Sequence, residues 1–210
     1  MRKLFYAVAV VVSVALIAAS WLKWLPFSLT ETFGFVTGAW CVYFVTAQNI
    51  WNFPLGIANN VLFFFLFYRS AIYGDAWLQV IYLILNAHGW YWWLRGGEEH
   101  TERRVSKAPL VVLVATAVGV IAGTWVLEAI LRAVSGAAPL IDAFTTTLSL
   151  AAQVLMNYKY LENWYVWIAA DIIYIYLYIT RGLQLTAVLY FIFMGLCVIG
   201  LVRWRKALTI

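Results

Sequence analysis

Charge is what this sequence has least of. Only 11% of its residues are Asp, Glu, Lys or Arg while 65% are hydrophobic, so the chain lacks the polar surface that a soluble domain of 210 residues must show to water. That shortage excludes an ordinary globular domain and leaves lipid as the expected solvent. Cysteine is scarce too. Cys41 and Cys197 are the only two, both lie inside apolar runs where a free thiol behaves as a small hydrophobe, and no disulfide framework follows. The two histidines, His88 and His100, have no metal-ligand spacing, and a haem would need an opposed axial partner that His100, in a charged loop, does not offer. His88 is therefore expected to be structural. No Gly-x-x-x-x-Gly-Lys phosphate loop occurs, which removes ATP hydrolysis by that device. No metal, no cofactor and no enzymatic activity are expected.

What is present in quantity is long apolar runs. Eight follow one another at residues 4–22, 32–47, 52–68, 75–95, 108–131, 140–158, 163–180 and 185–203. Each is about as long as a helix needs to cross ~30 Å of hydrocarbon, and all are too long and too continuous for barrel strands. The connections set the orientation, because Lys and Arg in short loops are retained on the cytoplasmic side. Arg2, Lys3, Arg95, Arg103, Arg104, Lys107, Lys159, Arg203, Arg205 and Lys206 fall on one side, and only Lys23, Arg69, Arg132 and Arg181 on the other. Ten against four puts both termini in the cytoplasm. The net charge of +5 thus has a topological cause and needs no nucleic acid partner. The first run also fits a secretory signal peptide ending at Ala18, Ala19 and Ser20, but Trp21 and Trp24 continue it as an interfacial belt, which favours a retained helix.

Shifting the sequence against itself by 111 positions aligns residues 29–94 with 140–205 without a gap and gives 12 identities in 66 positions. Shared apolar composition alone would produce several of these. The rarer matches carry more weight: Asn52 with Asn163, Gly89 with Gly200, Trp93 with Trp204, and polar Asn60 opposite Asp171. Three helices reverse the chain an odd number of times, so one linking helix restores parallel orientation to a second unit. The expected architecture is an all-α integral membrane protein with eight transmembrane helices, an added N-terminal helix followed by a three-one-three core. Its parts are an N-terminal helix at 1–28, a first three-helix repeat at 29–95, a cytoplasmic loop and linker helix at 96–139, and a second repeat at 140–210. Parallel repeats of this kind, as in the SWEET transporters, place substrate at their interface near the midplane.

Polar residues at membrane depth mark where that interface lies. An ionised carboxylate at Asp171, halfway along its run, costs roughly 2.5 to 3.5 kcal/mol on insertion scales and should face the bundle interior. Trp164, Trp167, Asp171, Tyr174 and Tyr178 recur at helical spacing on one face. Three further polar faces are formed by Asn52, Gly56, Asn59 and Asn60, by Tyr82, Asn86 and Trp90, and by Thr146, Ser149, Gln153 and Asn157. Amides and hydroxyls can also simply bind helices together, at about 0.6 kcal/mol each. Aromatic rings interleaved with the polar groups favour a cleft for a flat heterocycle, since such rings stack on one and attract cations. None of the 14 Lys and Arg residues lies near the middle of a run. A neutral or cationic compound with a flat ring and hydroxyl groups fits that chemistry, and an anion does not. Pro54 and Gly56 read equally as an ordinary helix start or as a hinge.

Several segments resemble the PnuC family of nicotinamide riboside transporters: WNFPLGIANN at 51–60, NAHGWYWW at 86–93, and above all K-x-x-E-N-W-x-x-W-I-x-x-D from Lys159 to Asp171. The likeness continues through IIYIYLYITRGLQLTAVLYFIF at 172–193 and spans 29–205 in order. The resemblance implies uptake of nicotinamide riboside by facilitated diffusion across a bacterial inner membrane, with trapping by a separate cytoplasmic riboside kinase. On that reading Trp164 and Trp167 or Tyr174 stack on the pyridinium, Gln153 and Asn86 contact the carboxamide, and Asn60 and Asp171 contact the ribose. Lys159 and Glu162, at the cytoplasmic end of the motif, are expected to form a gate or loop ion pair, with a solvated surface pair as the alternative. A SWEET-like sugar carrier, a membrane enzyme or a receptor are the competing functions, and a homo-oligomer is left open.

Overall fold

The computed structural model describes residues 2–26, 28–69, 73–133, 139–180 and 184–208. Among them are eight α-helices: α1 Arg2–Trp21, α2 Leu29–Thr46, α3 Asn52–Arg69, α4 Tyr73–Arg95, α5 Leu110–Ala133, α6 Pro139–Asn157, α7 Asn163–Thr180 and α8 Gln184–Ala207. These match the eight apolar runs closely. Arg181, counted above among the outer loop charges, lies outside the described residues. Where the ends differ, the cause is local. The second helix starts at Leu29 rather than at 32 because Ser28 and Glu31 form a capping box, each side chain accepting from the other residue's backbone N–H. The last helix runs on to Ala207 rather than stopping at 203, because Trp204 is fully buried and Arg205 and Lys206 suit a helix C-terminus.

By length and composition alone, Leu110–Ala133, Pro139–Asn157 and Ala187–Ala207 among the described residues are long and apolar enough to cross a membrane, and Tyr6–Trp21 is a shorter apolar helix. The helices α3, α4 and α7 fall short of that standard because of their Asn, Asp, Trp and Tyr residues. Those polar groups need a protein interior rather than lipid, and the packing supplies one.

Helices α2, α3, α4, α6, α7 and α8 form a closed ring, each in contact with the next and α8 returning to α2. Outside the ring, α1 packs on α2 and α5 on α6. The N-terminal helix is fastened by a hydrogen bond of 3.0 Å from Trp40 Nε1 to Ser13 Oγ.

Contacts recur around the ring at the 111-residue offset. Trp93 Nε1 donates to Met156 O at 3.1 Å, and Trp204 Nε1 donates to Val45 O at 3.0 Å. Phe53 meets Trp93 edge-on at 5.0 Å, as Trp164 meets Trp204 at 5.3 Å. Asn52 Nδ2 donates to Asn49 O and Asn163 Nδ2 to Tyr160 O, each closing the turn before its helix. Even the left-handed residues correspond, Gln48 at φ 52° and Lys159 at φ 51°. Two glycines permit this packing. A methyl group on Gly89 would run into Asn157 and Phe53, and one on Gly200 into the Trp164 ring.

Candidate functional site

Inside the ring is a cavity of about 450 Å³. Against it lies a floor of buried aromatic residues, Phe53, Trp93, Trp164 and Trp204, each at most 1% exposed, of which Trp164 lines the cavity. The two reciprocal tryptophan bonds hold this floor, each indole N–H reaching a carbonyl of the opposite three-helix group. The carbonyls belong to Val45 and Met156, whose side chains line the cavity above.

Every residue of the expected substrate set, Asn60, Asn86, Gln153, Trp164, Trp167, Asp171 and Tyr174, lines this one cavity. Helical spacing explains how. On α7 the positions 164, 167, 171 and 174 follow one face, and the ring turns that face inward. Asp171 is 6% exposed and accepts from Cys197 Sγ at 3.6 Å. Among the described residues it is the only Asp, Glu, Lys or Arg in the lining. Gln153 Nε2 donates to Asn157 Oδ1 at 3.3 Å. Asn60 Nδ2 and Trp164 Nε1 are buried with no hydrogen-bond partner among the described residues, two unsatisfied donors on residues of the lining. Trp164 packs edge-on against Trp204 and is 1% exposed. It therefore offers the cavity little surface, and the half-buried Trp167 and Tyr174, the latter packed on Tyr178 and Tyr190, are the rings more open to it.

Other residues of the polar faces fall elsewhere. Asn157 is fully buried, and its Nδ2 donates to Leu85 O at 2.8 Å, tying α6 to α4. Trp90 is 37% exposed and outside the lining, and so is Thr146. His88 lies 3.5 Å through Nδ1 from Asn157 Nδ2 and edge-on to Tyr158 at 5.5 Å, a structural setting. The third helix runs unbroken from Asn52 through Pro54 and Gly56, with Pro54 in its first turn.

Cavity residues that the sequence reading passed over sit on α2, α4 and α8: Gly34, Gly38, Cys41, Gln79, Tyr190, Phe193 and Cys197 among them. The internal repeat carried the missing signal. Adding 111 to Gln79, Tyr82 and Asn86 gives Tyr190, Phe193 and Cys197.

The expected pairing of Lys159 with Glu162 is corrected. Lys159, 1% exposed, bonds instead to Glu102 Oε1 at 3.2 Å, and its Nζ stands 4.4 Å from the Trp93 ring centroid. Glu162 Oε2 accepts from the Ala108 N–H at 2.8 Å. Both residues are turned to the α4–α5 loop, which joins the α6–α7 loop through Ser106 N to Lys159 O at 3.1 Å and Leu161 N to Ser106 O at 2.9 Å. Arg103 adds bonds to Tyr158 O and Gly96 O. A solvated surface pair is excluded by the burial of Lys159. That burial holds its ammonium below the usual lysine pKa, with Glu102 opposing the shift.

Six helices ringed around a cavity that holds an acid, several amides and aromatic rings, with two more helices packed outside, define a multi-pass membrane transporter. Comparison with known proteins gives the family. A family model described as "Nicotinamide mononucleotide transporter" matches residues 28–206. The nicotinamide riboside transporter PnuC of Neisseria mucosa is 31% identical over 194 residues, covering 86% of this chain and 73% of that one. PnuC of Escherichia coli is 25% identical over 203 residues, covering 84% and 85%. The riboflavin/roseoflavin transporter RibM of Streptomyces davaonensis is 23% identical over 163 residues, covering 75% of each. The crystal structure of the vitamin B3 transporter PnuC overlays with a TM-score of 0.69 at 25% identity, covering 96% of this chain and 92% of that one. The chain belongs to the PnuC family of transporters. These relatives are named as transporters and not as enzymes.

Proposed function

We propose that this protein carries nicotinamide riboside by facilitated diffusion across a bacterial inner membrane, with a separate cytoplasmic kinase preventing its return. One observation carries the substrate reading: among the described residues the cavity lining holds Asp171 and no Lys or Arg. A lone carboxylate among aromatic rings attracts a pyridinium cation, and a phosphate would enter without a counter-charge. That separates the riboside from the mononucleotide named in the family description, and from an uncharged flavin or sugar. In this reading Trp167 and Tyr174 stack on the ring, Gln153 and Asn86 meet the carboxamide, and Asp171, Asn60 and the Trp164 N–H meet the ribose.

The recurrence of contacts at the 111-residue offset supports two parallel three-helix repeats, 29–95 and 140–210, in a SWEET-like arrangement with 96–139 between them and 1–28 added outside. The aromatic floor and the Lys159 and Glu162 loop contacts beneath it form the cytoplasmic gate. Purified protein titrated with nicotinamide riboside, nicotinamide, nicotinamide mononucleotide and ribose tests the substrate. The riboside should bind at least tenfold more tightly than the mononucleotide, a difference of about 1.4 kcal/mol. Equal affinities would refute the reading.

A further inference from the structure

The cavity is built on a near-twofold plan but is chemically and sterically lopsided. At the 111-residue offset Asn60 corresponds to Asp171, Asn86 to Cys197 and Gly56 to Trp167, and all six line the cavity. One wall therefore carries two amides over bare backbone, and the other an acid, a thiol and an indole. The largest difference is at the last pair. Where the second wall projects the largest side chain of the twenty, the first projects none.

Gly56 is not left empty by accident of packing. The Asn86 amide lies over it, and a methyl group built there would stand 3.2 Å from both Asn86 Nδ2 and Oδ1 and 3.3 Å from its Cγ. That is tighter than an ordinary van der Waals contact, so a side chain at 56 requires the amide to shift by a few tenths of an ångström or more. The helix itself asks for no glycine here, since α3 is continuous through the position and Ala is the better helix former. The missing side chain thus costs helix stability and serves the cavity.

The geometry points to Gly56 as a specificity-determining residue: its bare backbone seats the Asn86 amide and leaves, across from Trp167, a slot for one flat ring. It fixes polarity as well. The cationic ring enters with Trp167 and Asp171 on one side and the amides on the other, and the pseudo-symmetric reversed pose is blocked because the indole has no twin. This inference rests on the nicotinamide riboside reading of the cavity.

The test is a double-mutant cycle read by riboside affinity and by melting temperature without ligand. Gly56→Ala should weaken riboside binding at least tenfold while melting at or above the wild-type temperature, because the methyl favours helix. In an Asn86→Ser background, where the shorter side chain makes room, the same substitution should change affinity less than threefold. Gly56→Ala protein that binds within threefold of wild type overturns the proposal, and so do equal losses in both backgrounds. If Gly56→Ala alone is not recovered folded, the comparison of Gly56→Ala/Asn86→Ser with Asn86→Ser decides: matching affinities support the shared slot and a further tenfold loss overturns it. Wild-type protein that binds no riboside would instead overturn the substrate reading, and this inference with it.

Discussion

At the scale of single residues, Asp171 is where the sequence and the cavity meet. A buried carboxylate in a membrane protein is costly unless something compensates it, and the compensation here is a thiol at 3.6 Å and not a cation. If it balances the pyridinium or accepts from ribose hydroxyls, affinity should fall in the order wild type, Asp171→Asn, Asp171→Ala. Truncating one partner of a buried charged hydrogen bond costs about 2 to 5 kcal/mol, so the Ala variant should lose at least tenfold. Asn60→Ala should lose less, because an amide carries no charge. Monodisperse Asp171→Ala protein with unchanged riboside affinity would leave Asp171 as helix glue. The candidate set of seven was legible because polar residues in a lipid-facing sequence need a reason to be there. Tyr190, Phe193 and Cys197 were not, because each is unremarkable inside an apolar helix. Lys159 and Glu162 were misread for another reason: three residues apart, they looked like a local pair, and their partners Glu102 and Ala108 come from a different loop.

At the scale of helices and loops, the floor of the cavity depends on contacts between distant segments. Sequence reading finds Trp93 and Trp204 as rare matches in the repeat, but their N–H bonds span 63 and 159 positions. Trp93→Phe and Trp204→Phe each keep a ring and lose one hydrogen bond, so each should destabilise by about 1 kcal/mol. Similar losses in thermal melting are expected for the two, since the contacts correspond; an effect confined to one would weigh against equivalent halves. Lys159 makes a second prediction. Its folded pKa is depressed by burial, so the unfolded chain binds the proton more tightly. The charge then opposes folding at neutral pH, and that penalty fades as pH rises through the folded pKa toward the ordinary lysine value near 10.4. Lys159→Met should therefore melt no lower than wild type at pH 7, and its melting temperature relative to wild type should be highest there and decline in alkaline buffer. Glu102→Ala should melt lower, by about 1 kcal/mol at most, because Glu102 is 72% exposed. If Lys159→Met transports at the wild-type rate, the loop contacts are struts and not part of a gate.

For the whole molecule, orientation follows from joining the charge count to the packing. The structure gathers one set of connections at the same end of the bundle: Arg103 reaches the α6–α7 loop at Tyr158, the 106–108 segment docks on Lys159, Leu161 and Glu162, and Trp204 near the end of α8 bonds to Val45 near the end of α2. Tyr6 stacks on Trp40 and meets Tyr43 edge-on, which brings the start of α1 to that end as well. Most of the ten basic residues that the charge count assigns to the cytoplasm are thereby collected at the end of the bundle that carries the aromatic floor, so one orientation would satisfy these and its inverse would not. The eight runs and their alternation were legible from hydropathy, and the closed ring was not, because which helices touch is decided by side chains many positions apart. Labelling with a membrane-impermeant thiol reagent tests the result. The background should lack Cys41 and Cys197, since both line the cavity and would report its accessibility. In that background a cysteine at Arg132, whose side chain is 68% exposed, should be labelled from outside intact cells. One at Arg104, exposed in the α4–α5 loop, should be labelled only after the membrane is opened. A cysteine at position 181 should behave like the one at 132. Labelling of 104 but not 132 from outside would invert the molecule, placing the floor and the Lys159 contacts at the entrance and not at the exit.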